Sequence, residues 1–239
     1  MQKTLLITGA ARRIGAFLAK ELAKQNYNIV LHYGSSVREA KLVAQDIRDD
    51  GGTCHMIQAD LSDIKSCEKI FDDLDQMGIG IQYLIHNASI FENTKFEEMK
   101  PDQWVNAMQV NLTTPVMMNQ AFAKRINNNQ KGRILHLLDW RALRPGVDHF
   151  PYTISKAALA SVTKSLAIAL APRIQVNGIA FGAILPPADG GDTSSLLMDI
   201  PMNRWAKMEE VLKTVLFLLE GPDYITGEII HLDGGRHLV

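Results

Sequence analysis

The sequence has little of what defines several common classes of protein. Its two cysteines, Cys54 and Cys67, belong to no motif, which argues against disulfide-stabilised and zinc-binding folds and favours reduced thiols in a cytoplasmic protein. The seven histidines are scattered without metal-ligand spacing, so no metal site is expected. The 25 basic and 26 acidic residues nearly cancel, so there is no basic field to attract nucleic acid.

A long hydrophobic run is also missing from the start of the chain. The first apolar stretch, residues 4–9, is too short for a signal peptide or a membrane span and is better interpreted as a β-strand. No linker, repeat or low-complexity segment divides the 239 residues. We therefore expect one domain, residues 1–239, with no membrane segment.

The chain does contain a regular alternation of short apolar runs and longer segments with helical spacing. This alternation predicts a parallel sheet with helices on both faces, the three-layer α/β/α arrangement of a Rossmann-type doubly wound fold. Residues 182–206, rich in Gly, Pro, Asp and Ser, follow the sixth strand; we expect a mobile substrate loop there, with a plain surface loop as the alternative. The predicted strands are 4–9, 28–33, 54–60, 81–89, 132–138, 174–180 and 228–232, and the predicted helices are 14–25, 36–51, 64–78, 101–127, 152–171 and 207–220.

The segment TGAARRIG, residues 8–15, separates the first predicted strand from the first helix. Such a glycine-containing turn lets the backbone approach a dinucleotide pyrophosphate, and the helix N-terminus favours its negative charge, although a purely structural turn uses glycine too. No acidic residue stands near the end of the second strand, whereas Ser35, Ser36, Arg12 and Arg38 offer donors. These donors suit a 2′-phosphate and predict NADPH as the cofactor.

A candidate catalytic pair follows later in the chain. Tyr152 and Lys156 lie four residues apart in a predicted helix, so their side chains share one helix face. A phenol has an ordinary pKa of about 10 and needs a nearby cation to act near neutrality. Asp139, thirteen residues before Tyr152, would raise the pKa of the phenol and oppose Lys156.

Six segments together make the sequence resemble the short-chain dehydrogenase/reductase family over nearly the whole chain. They are TGAARRIG (8–15), HNAS (86–89), MQVNLTTP around Asn111, the Tyr152–Lys156 pair, VNGIAFG (176–182) and LDGG (232–235). The resemblance implies that Tyr152 donates the proton, that Lys156 lowers its pKa and binds the nicotinamide ribose, and that Asn111 holds a water in a proton relay. Asp60 matches the adenine contact of the family, with a helix cap as the alternative. The implied dinucleotide site consists of Gly9, Arg12, Arg13, Ile14, Gly15, Tyr33, Ser35, Ser36, Asp60, Leu61, Asn87, Ala88, Tyr152 and Lys156.

Departures from the family pattern narrow this resemblance. Arg13 stands in place of a glycine, Asp139 stands in place of the usual serine, and Ser89 and Phe91 follow the fourth strand. This set is similar to the pteridine reductase branch, and the closing DGGRHLV and the length are most similar to the bacterial dihydromonapterin reductases, which also reduce dihydrofolate. The resemblance therefore implies a pterin or folate substrate, reduced by NADPH. Its site would consist of Arg13, Ser89, Phe91, Asp139 and Tyr152.

The carboxyl group of Asp139 suits a substrate that is reduced at a ring C=N bond. A ring nitrogen must then receive a proton, which a carboxyl group bonded to Tyr152 can hold or pass, whereas a ketone oxygen accepts readily from a serine hydroxyl. Reduction of an oxoacyl or polyol ketone is the alternative function. A dinucleotide-binding protein without catalysis is a third, against which Tyr152, Lys156 and Asn111 argue. For Asp139 itself, a simple strand-end cap is the alternative role.

Three further expectations concern packing and substrate contacts. Phe91 is expected to stack on the face of a pterin that the nicotinamide leaves free, with packing under the next loop as the alternative. Arg141, Arg144 and Arg204 are expected to be solvated surface charges, with a folate glutamate as their alternative partner. Small residues along helix 152–171 favour close helix pairing into a homotetramer, a dimer being possible.

Overall fold

The computed structural model describes residues 3–127, 129–186 and 197–239. The described residues form one seven-stranded sheet in which every strand is parallel to its neighbours. The strands are β1 (Lys3–Ile7), β2 (Tyr27–Tyr33), β3 (Cys54–Gln58), β4 (Tyr83–His86), β5 (Gly132–Asp139), β6 (Ile174–Phe181) and β7 (Ile229–Leu232). The main helices are α1 (Arg13–Lys24), α2 (Val37–Asp49), α3 (Lys65–Gln76), α4 (Pro101–Met108), α5 (Thr114–Arg125), α6 (Phe150–Leu170) and α7 (Met208–Glu220).

The strand order, β3-β2-β1-β4-β5-β6-β7, changes direction between β1 and β4. β1 pairs with both β2 and β4, so the chain winds outward first to one side and then to the other. In such sheets a crevice forms beyond the carboxyl ends of the strands at this reversal, and ligands bind there. The predicted Rossmann-type fold is confirmed, and its crevice lies where the glycine-containing turn begins.

Helices cover both faces of the sheet. Along β1, Leu5 and Ile7 belong to the core shared with α1, α2 and α7, whereas Leu6 belongs to the core shared with α3, α5 and α6. All three side chains are fully buried. This two-sided burial explains why the strands read as continuous apolar runs without polar alternation.

The predicted helix 101–127 is divided in the structure. α4 ends at Met108, a π-helical turn spans Gln109–Thr113, and α5 begins at Thr114. The prediction of one continuous helix is wrong because apolar spacing does not distinguish an α-helical turn from a π-helical one. Single π-turns occur frequently at functional sites, and this one carries Asn111.

α6 is long and apolar enough, by length and composition alone, to cross a membrane. Its buried residues include Tyr152, Lys156 and Leu159, and it packs on β5 and β6, so core packing accounts for part of its apolar composition. Its outward side is also apolar in places, since Ile168 is 84% exposed. Pairing of copies through this helix stays a prediction.

The predicted substrate loop, residues 182–206, begins directly after β6. Residues 187–196 lie outside the described residues, so the mobile-loop interpretation stays a prediction. The described parts are anchored to each other and to the sheet. The Gly182 N–H donates to the Leu232 carbonyl, and the Ala206 N–H donates to the Ala183 carbonyl, both at 3.0 Å.

Candidate active site

The turn after β1 is held against the end of β4 by reciprocal hydrogen bonds. The Thr8 hydroxyl accepts from the backbone N–H groups of Asn87 at 3.0 Å and Ala88 at 3.1 Å. The Asn87 side-chain amide donates to the carbonyls of Thr8 and Gly9, both at 2.9 Å. Gly9 has φ +63°, and a Cβ there would lie 2.9 Å from the Ala88 Cα. Only glycine combines this left-handed backbone with so close an approach.

Arg13 adopts a backbone conformation that glycine adopts more easily. Its φ is +53°, in the left-handed region that other residues enter at a cost of about 1–2 kcal/mol. This conformation explains why glycine is usual at this position in the family that the sequence resembles. The Arg13 Nη2 donates to the Pro186 carbonyl at 2.8 Å, which ties the turn to the described start of the substrate loop.

His32, which the sequence analysis missed, fastens the same turn to β3. The side chain is 2% exposed; its Nδ1 accepts from the Gly9 N–H at 3.2 Å and its Nε2 donates to the Ala59 carbonyl at 3.1 Å. Burial lowers the pKa of His32 to about 4, although the bond to Ala59 opposes the shift. The ring is therefore neutral with its proton on Nε2. A histidine within the apolar run of β2 is the signal that could have revealed it.

A cleft of about 680 Å³ opens beyond the carboxyl ends of β1, β2 and β4. It brings together most of the residues predicted to bind dinucleotide and substrate. They are Gly9, Arg12, Arg13, Ile14, Tyr33, Ser35, Ser36, Asp60, Leu61, Asn87, Ala88, Ser89, Phe91 and Tyr152. Gly15, Asp139 and Lys156 are not part of the lining; Gly15 lies under the turn, where a Cβ would be 2.5 Å from the Gly9 carbonyl oxygen. Sequence reasoning did not assign a site role to the lining residues Ala11, His32, Gly34, Ala59, Ser62, Ile90, Asn106 and Val110, of which Ala11 and Val110 lie within quoted motifs.

The part of the cleft near β2 and β3 carries hydroxyl groups and, among the described lining residues, a single carboxylate. Ser36 precedes α2, and its hydroxyl makes no capping hydrogen bond. Asp60 Oδ1 accepts from the Ser62 backbone N–H at 2.9 Å and from the Ser62 hydroxyl at 2.8 Å, and these bonds lower the pKa of Asp60. These bonds close a turn ahead of α3, whose N-cap is Ile64, so the helix-cap alternative for Asp60 is not observed, while an adenine contact stays a prediction. Arg12 lines the cleft, whereas Arg38 does not.

Tyr152 lines the cleft, and its hydroxyl meets Asp139 at the end of β5, outside the lining. The Tyr152 hydroxyl donates to Asp139 Oδ2 at 3.2 Å, and Tyr152 is 8% exposed. Burial raises the pKa of Tyr152 well above its ordinary value of about 10, and the charge and hydrogen bond of Asp139 raise it further, while Arg141 lowers it. The phenol is therefore held in its protonated form, as a proton donor must be.

Lys156 is buried one helical turn after Tyr152. Its ammonium donates to the Leu137 carbonyl at 2.7 Å and lies 5.8 Å from the centroid of the Tyr152 ring. Burial lowers the pKa of Lys156 to about 8, and the charge of Asp139 opposes this shift. Arg141 is a cation that lowers the pKa of Tyr152, and the Lys156 ammonium is directed to the backbone of β5. The expected effect of Lys156 on the phenol stays a prediction.

Asn111 joins the segment after β4 to α6. Its Oδ1 accepts from the Ile90 N–H at 2.8 Å and from the Ser89 hydroxyl at 3.2 Å. Its Nδ2 donates to the Ile90 carbonyl at 3.0 Å and to the Ser155 hydroxyl at 3.1 Å. With 1% exposure, the side chain positions neighbouring backbone, and the water-holding role of Asn111 stays a prediction.

Phe91 lies beside Tyr152 with one ring face covered by protein. It stacks on His149, with ring centroids 3.9 Å apart and planes inclined by 14°, and the Tyr152 ring meets it edge-on at 4.6 Å. Phe91 is 54% exposed, and the Arg141 Cζ lies 6.0 Å from its ring centroid, so part of the ring is open to a ligand. His149, whose φ is +49°, was not predicted, and no motif in the sequence marks it.

Arg141 does not behave as the solvated arginine that the sequence suggests. Its side chain is 12% exposed and forms ion pairs with Asp148 at 2.7 Å and Asp139 at 3.5 Å. The short turn after β5 brings the Arg141 guanidinium back to Asp139. This contact could not be predicted from the sequence, because an arginine two residues after an aspartate can equally point into solvent. Arg144 is exposed and Arg204 forms a surface ion pair.

Among the described residues, no group of three or more His, Cys, Asp or Glu side chains is arranged to hold a metal ion. Cys54 and Cys67 are both buried and unpaired.

The fold, the cleft and the Tyr152–Lys156 pair define a class of dinucleotide-dependent oxidoreductases. A family model described as enoyl-(acyl carrier protein) reductase, one of the short-chain dehydrogenases/reductases, matches residues 9–237. The chain therefore belongs to the short-chain dehydrogenase/reductase family.

Individual relatives have different activities. The structure is similar to FolM alternative dihydrofolate reductase 1 from Brucella suis in complex with NADP (33% identity, TM-score 0.91, 99% of this chain and 96% of that one). It is also similar to a short chain dehydrogenase from Burkholderia cenocepacia in complex with NADP (30%, TM-score 0.91, 99% and 98%). The sequence is 33% identical to 3-oxoacyl-(acyl-carrier-protein) reductase FabG of Aquifex aeolicus over 98% of this chain and 96% of that protein. Similarity alone does not choose between a pterin and an oxoacyl substrate.

Proposed function

We propose that the protein is an NADPH-dependent reductase of dihydropterins, acting on a dihydromonapterin-like or dihydrofolate-like substrate at a ring C=N bond. The observation that supports this function is the hydrogen bond from Tyr152 to Asp139, at the place where the family has a serine. The exposed part of the Phe91 ring beside this pair supplies an aromatic surface for a flat ring.

The cofactor is inferred from the cleft and from the relatives. Two of these relatives were solved with NADP, and the described lining fits that molecule. The backbone turn at Gly9 and the start of α1 suit a pyrophosphate, and Arg12, Ser35 and Ser36 suit a 2′-phosphate. When bound, NADPH supplies the hydride.

The remaining chemistry belongs to side chains of this chain. Tyr152 is protonated, and its single hydroxyl hydrogen is directed to Asp139 without substrate. In the reaction this hydrogen turns from Asp139 to the ring nitrogen, which receives it as the hydride reaches the neighbouring carbon, while Asp139 keeps the phenol oxygen in place. The Asp139 oxygens accept hydrogen bonds from Arg141 and Tyr152, and as acceptors they match the N–H and amino groups at the edge of a pterin. A ketone oxygen brings no donor, and an acceptor beside it is unfavourable.

Reduction of an oxoacyl ketone is the second candidate, because the FabG relative is 33% identical over nearly the whole chain. Oxidation of NADPH measured in parallel with a dihydropterin, dihydrofolate and a simple β-ketoester separates the two functions. We expect turnover of the dihydropterin and dihydrofolate. Turnover of the β-ketoester alone would replace the proposed function with the second candidate.

NADPH is expected to be used with at least about tenfold higher kcat/KM than NADH, since a 2′-phosphate gains charge-assisted bonds that a hydroxyl cannot form. Arg12→Ala should weaken NADPH use and leave NADH use nearly unchanged. Arg38→Ala is the matched control, because Arg38 is an exposed arginine outside the cleft lining. Steady-state kinetics with both cofactors test this preference, and equal use by the wild type would contradict it.

Phe91→Ala is expected to raise the KM for the dihydropterin by about tenfold, because both ring stacking and buried area are lost. The dissociation constant of NADPH measured without substrate should change much less. Phe96→Ala is a suitable control: Phe96 is 61% exposed and packs edge-on against Phe150 instead. A parallel loss of NADPH affinity would indicate a collapsed loop, and no effect on either would remove Phe91 from the site.

Activity is expected to decline as pH rises above about 8, the pKa of Lys156. Below this pKa the side chain carries the charge and proton with which it reaches Leu137, and above it the charge is lost. An arginine in Lys156→Arg keeps its charge at alkaline pH. The alkaline decline of kcat/KM should therefore begin at a higher pH in this variant than in the wild type. A wild-type profile that stays flat to about pH 10 would assign no role to this titration.

A further inference from the structure

We propose that Arg141 is a positioning residue for the Asp139–Tyr152 pair, and that Asp148 holds Arg141 in place. The three residues Asp139, Arg141 and Asp148 form a chain of alternating charges, called here the charged chain. It connects the end of β5 to the loop that precedes α6. The inference rests on the proposed function only for its choice of substrate.

The first step is that the two carboxyl oxygens of Asp139 have different hydrogen-bond partners. Oδ1 accepts from the backbone N–H of Arg141 at 2.9 Å and faces its Nη1 at 3.5 Å. Oδ2 is thereby left to accept from Tyr152 at 3.2 Å. The Asp139 side chain is only 15% exposed, and a carboxyl group with so little water needs hydrogen-bond partners from the protein.

The second step is the attachment of Arg141 to Asp148. Arg141 Nε donates to Asp148 Oδ1 at 3.3 Å, and Nη2 donates to Oδ2 at 2.7 Å. Two parallel bonds between a guanidinium and a carboxylate fix direction as well as distance. The hydrogen bond from Arg141 lowers the pKa of Asp148, so this partner stays ionised. The Arg141 Cζ also lies 4.9 Å from the Trp140 ring centroid and 6.0 Å from that of Phe91.

The third step is the effect on Tyr152. Asp139 raises the pKa of the phenol, and Arg141 lowers it. Without the Arg141 side chain, the phenol would be a weaker acid, and Asp139 Oδ1 would lose the Nη1 contact at 3.5 Å and keep the backbone N–H bond at 2.9 Å. Proton donation should therefore slow, whereas the dinucleotide part of the cleft contains neither Arg141 nor Asp148 in its lining.

The test compares Arg141→Met, Arg141→Lys, Asp148→Asn and the double variant Arg141→Met/Asp148→Asn. For each, kcat and KM with a dihydropterin, the dissociation constant of NADPH and the thermal midpoint are measured. Arg125→Met is the matched control, because Arg125 also bridges two carboxylates, Asp72 at 2.9 Å and Asp75 at 2.8 Å, at the end of α5. This control measures how much the thermal midpoint falls when a similar ion-pair bridge is lost away from the active site.

We expect Arg141→Met to lower kcat by about tenfold while the NADPH dissociation constant changes by less than about twofold. Arg141→Lys should recover part of the loss, since it keeps the charge without the planar fork. Asp148→Asn should lower kcat by about threefold alone and have no further effect in the Arg141→Met background, as residues acting through one another are not additive. Arg125→Met should keep wild-type kcat.

Three results would overturn the inference. They are an unchanged kcat in Arg141→Met, additive effects of the two substitutions, and a loss of kcat matched by equal losses in NADPH affinity and thermal midpoint. If Arg141→Met does not fold, Arg141→Lys and Asp148→Asn carry the same comparison, and wild-type kcat in both would overturn it. If the wild type turns over no dihydropterin, the proposed function fails by itself, and the variants are compared on the ketone substrate that it does reduce.

Discussion

Asp139→Ala is expected to lower kcat for a dihydropterin by about 100-fold, which corresponds to about 2.7 kcal/mol of barrier. The substitution removes the acceptor of the Tyr152 hydroxyl and the carboxylate that Arg141 contacts, so the phenol loses its fixed direction. It also leaves the Arg141 charge without one of its two partners. NADPH should still bind, because Asp139 is not part of the described lining around the glycine-containing turn. Stopped-flow turnover and fluorescence titration of NADPH measure the two effects.

Two further substitutions at this position identify which property of the carboxylate matters. Asp139→Asn keeps the shape and removes the charge, and Asp139→Ser introduces the hydroxyl that is usual in the family. If the carboxylate contacts a pterin, both variants should turn over the dihydropterin more slowly than the wild type. The ratio of β-ketoester turnover to dihydropterin turnover should be higher in Asp139→Ser than in Asp139→Asn. A kcat for Asp139→Ala above about a third of wild type, less than about 1 kcal/mol of barrier, would exclude a role in proton transfer.

The fold was predictable because its signals are local. The central strand β1 is an apolar run buried on both faces, as Leu5, Leu6 and Ile7 show, and the intervening helices carry their own spacing. The ends of the elements were less predictable. The fourth strand stops at His86 and not at residue 89, because Asn87 and Ala88 leave the sheet to bond with Thr8. Such bonds join residues far apart in sequence, and apolar periodicity does not report them.

In the candidate site, too, some residues could be predicted from the sequence and others could not. Tyr152, Lys156 and Asp139 are recognisable by their spacing, and the structure brings Tyr152 and Asp139 into contact. Their supporting residues were not recognisable: Arg141 was expected in solvent, and His149 was not considered. Whether an arginine turns toward a carboxylate or toward water depends on the backbone of a loop, here the left-handed His149 and the turn after β5. Residue type and spacing leave that choice open.

Gly9→Ala is expected to raise the NADPH dissociation constant by about 30-fold or more, about 2 kcal/mol. Its φ of +63° disfavours alanine, and the new Cβ would lie 2.9 Å from the Ala88 Cα. The atom opposite is backbone, so no side-chain rotation relieves the contact. Either the turn or the end of β4 must shift, and with it the bonds among Thr8, Gly9 and Asn87 that set the shape of the cleft.

Gly78→Ala separates this effect from the general penalty of a left-handed alanine. Gly78 has φ +67°, nearly that of Gly9, but a Cβ there would meet no atom within 4 Å. Both variants should lose about 1 kcal/mol or more of the free energy of unfolding from backbone strain, as measured by urea denaturation. Only Gly9→Ala should lose NADPH affinity as well. Equal NADPH affinity in the two variants would mean that the close approach of Gly9 to Ala88 does not shape the cofactor site, and that Gly9 serves the fold of the turn alone.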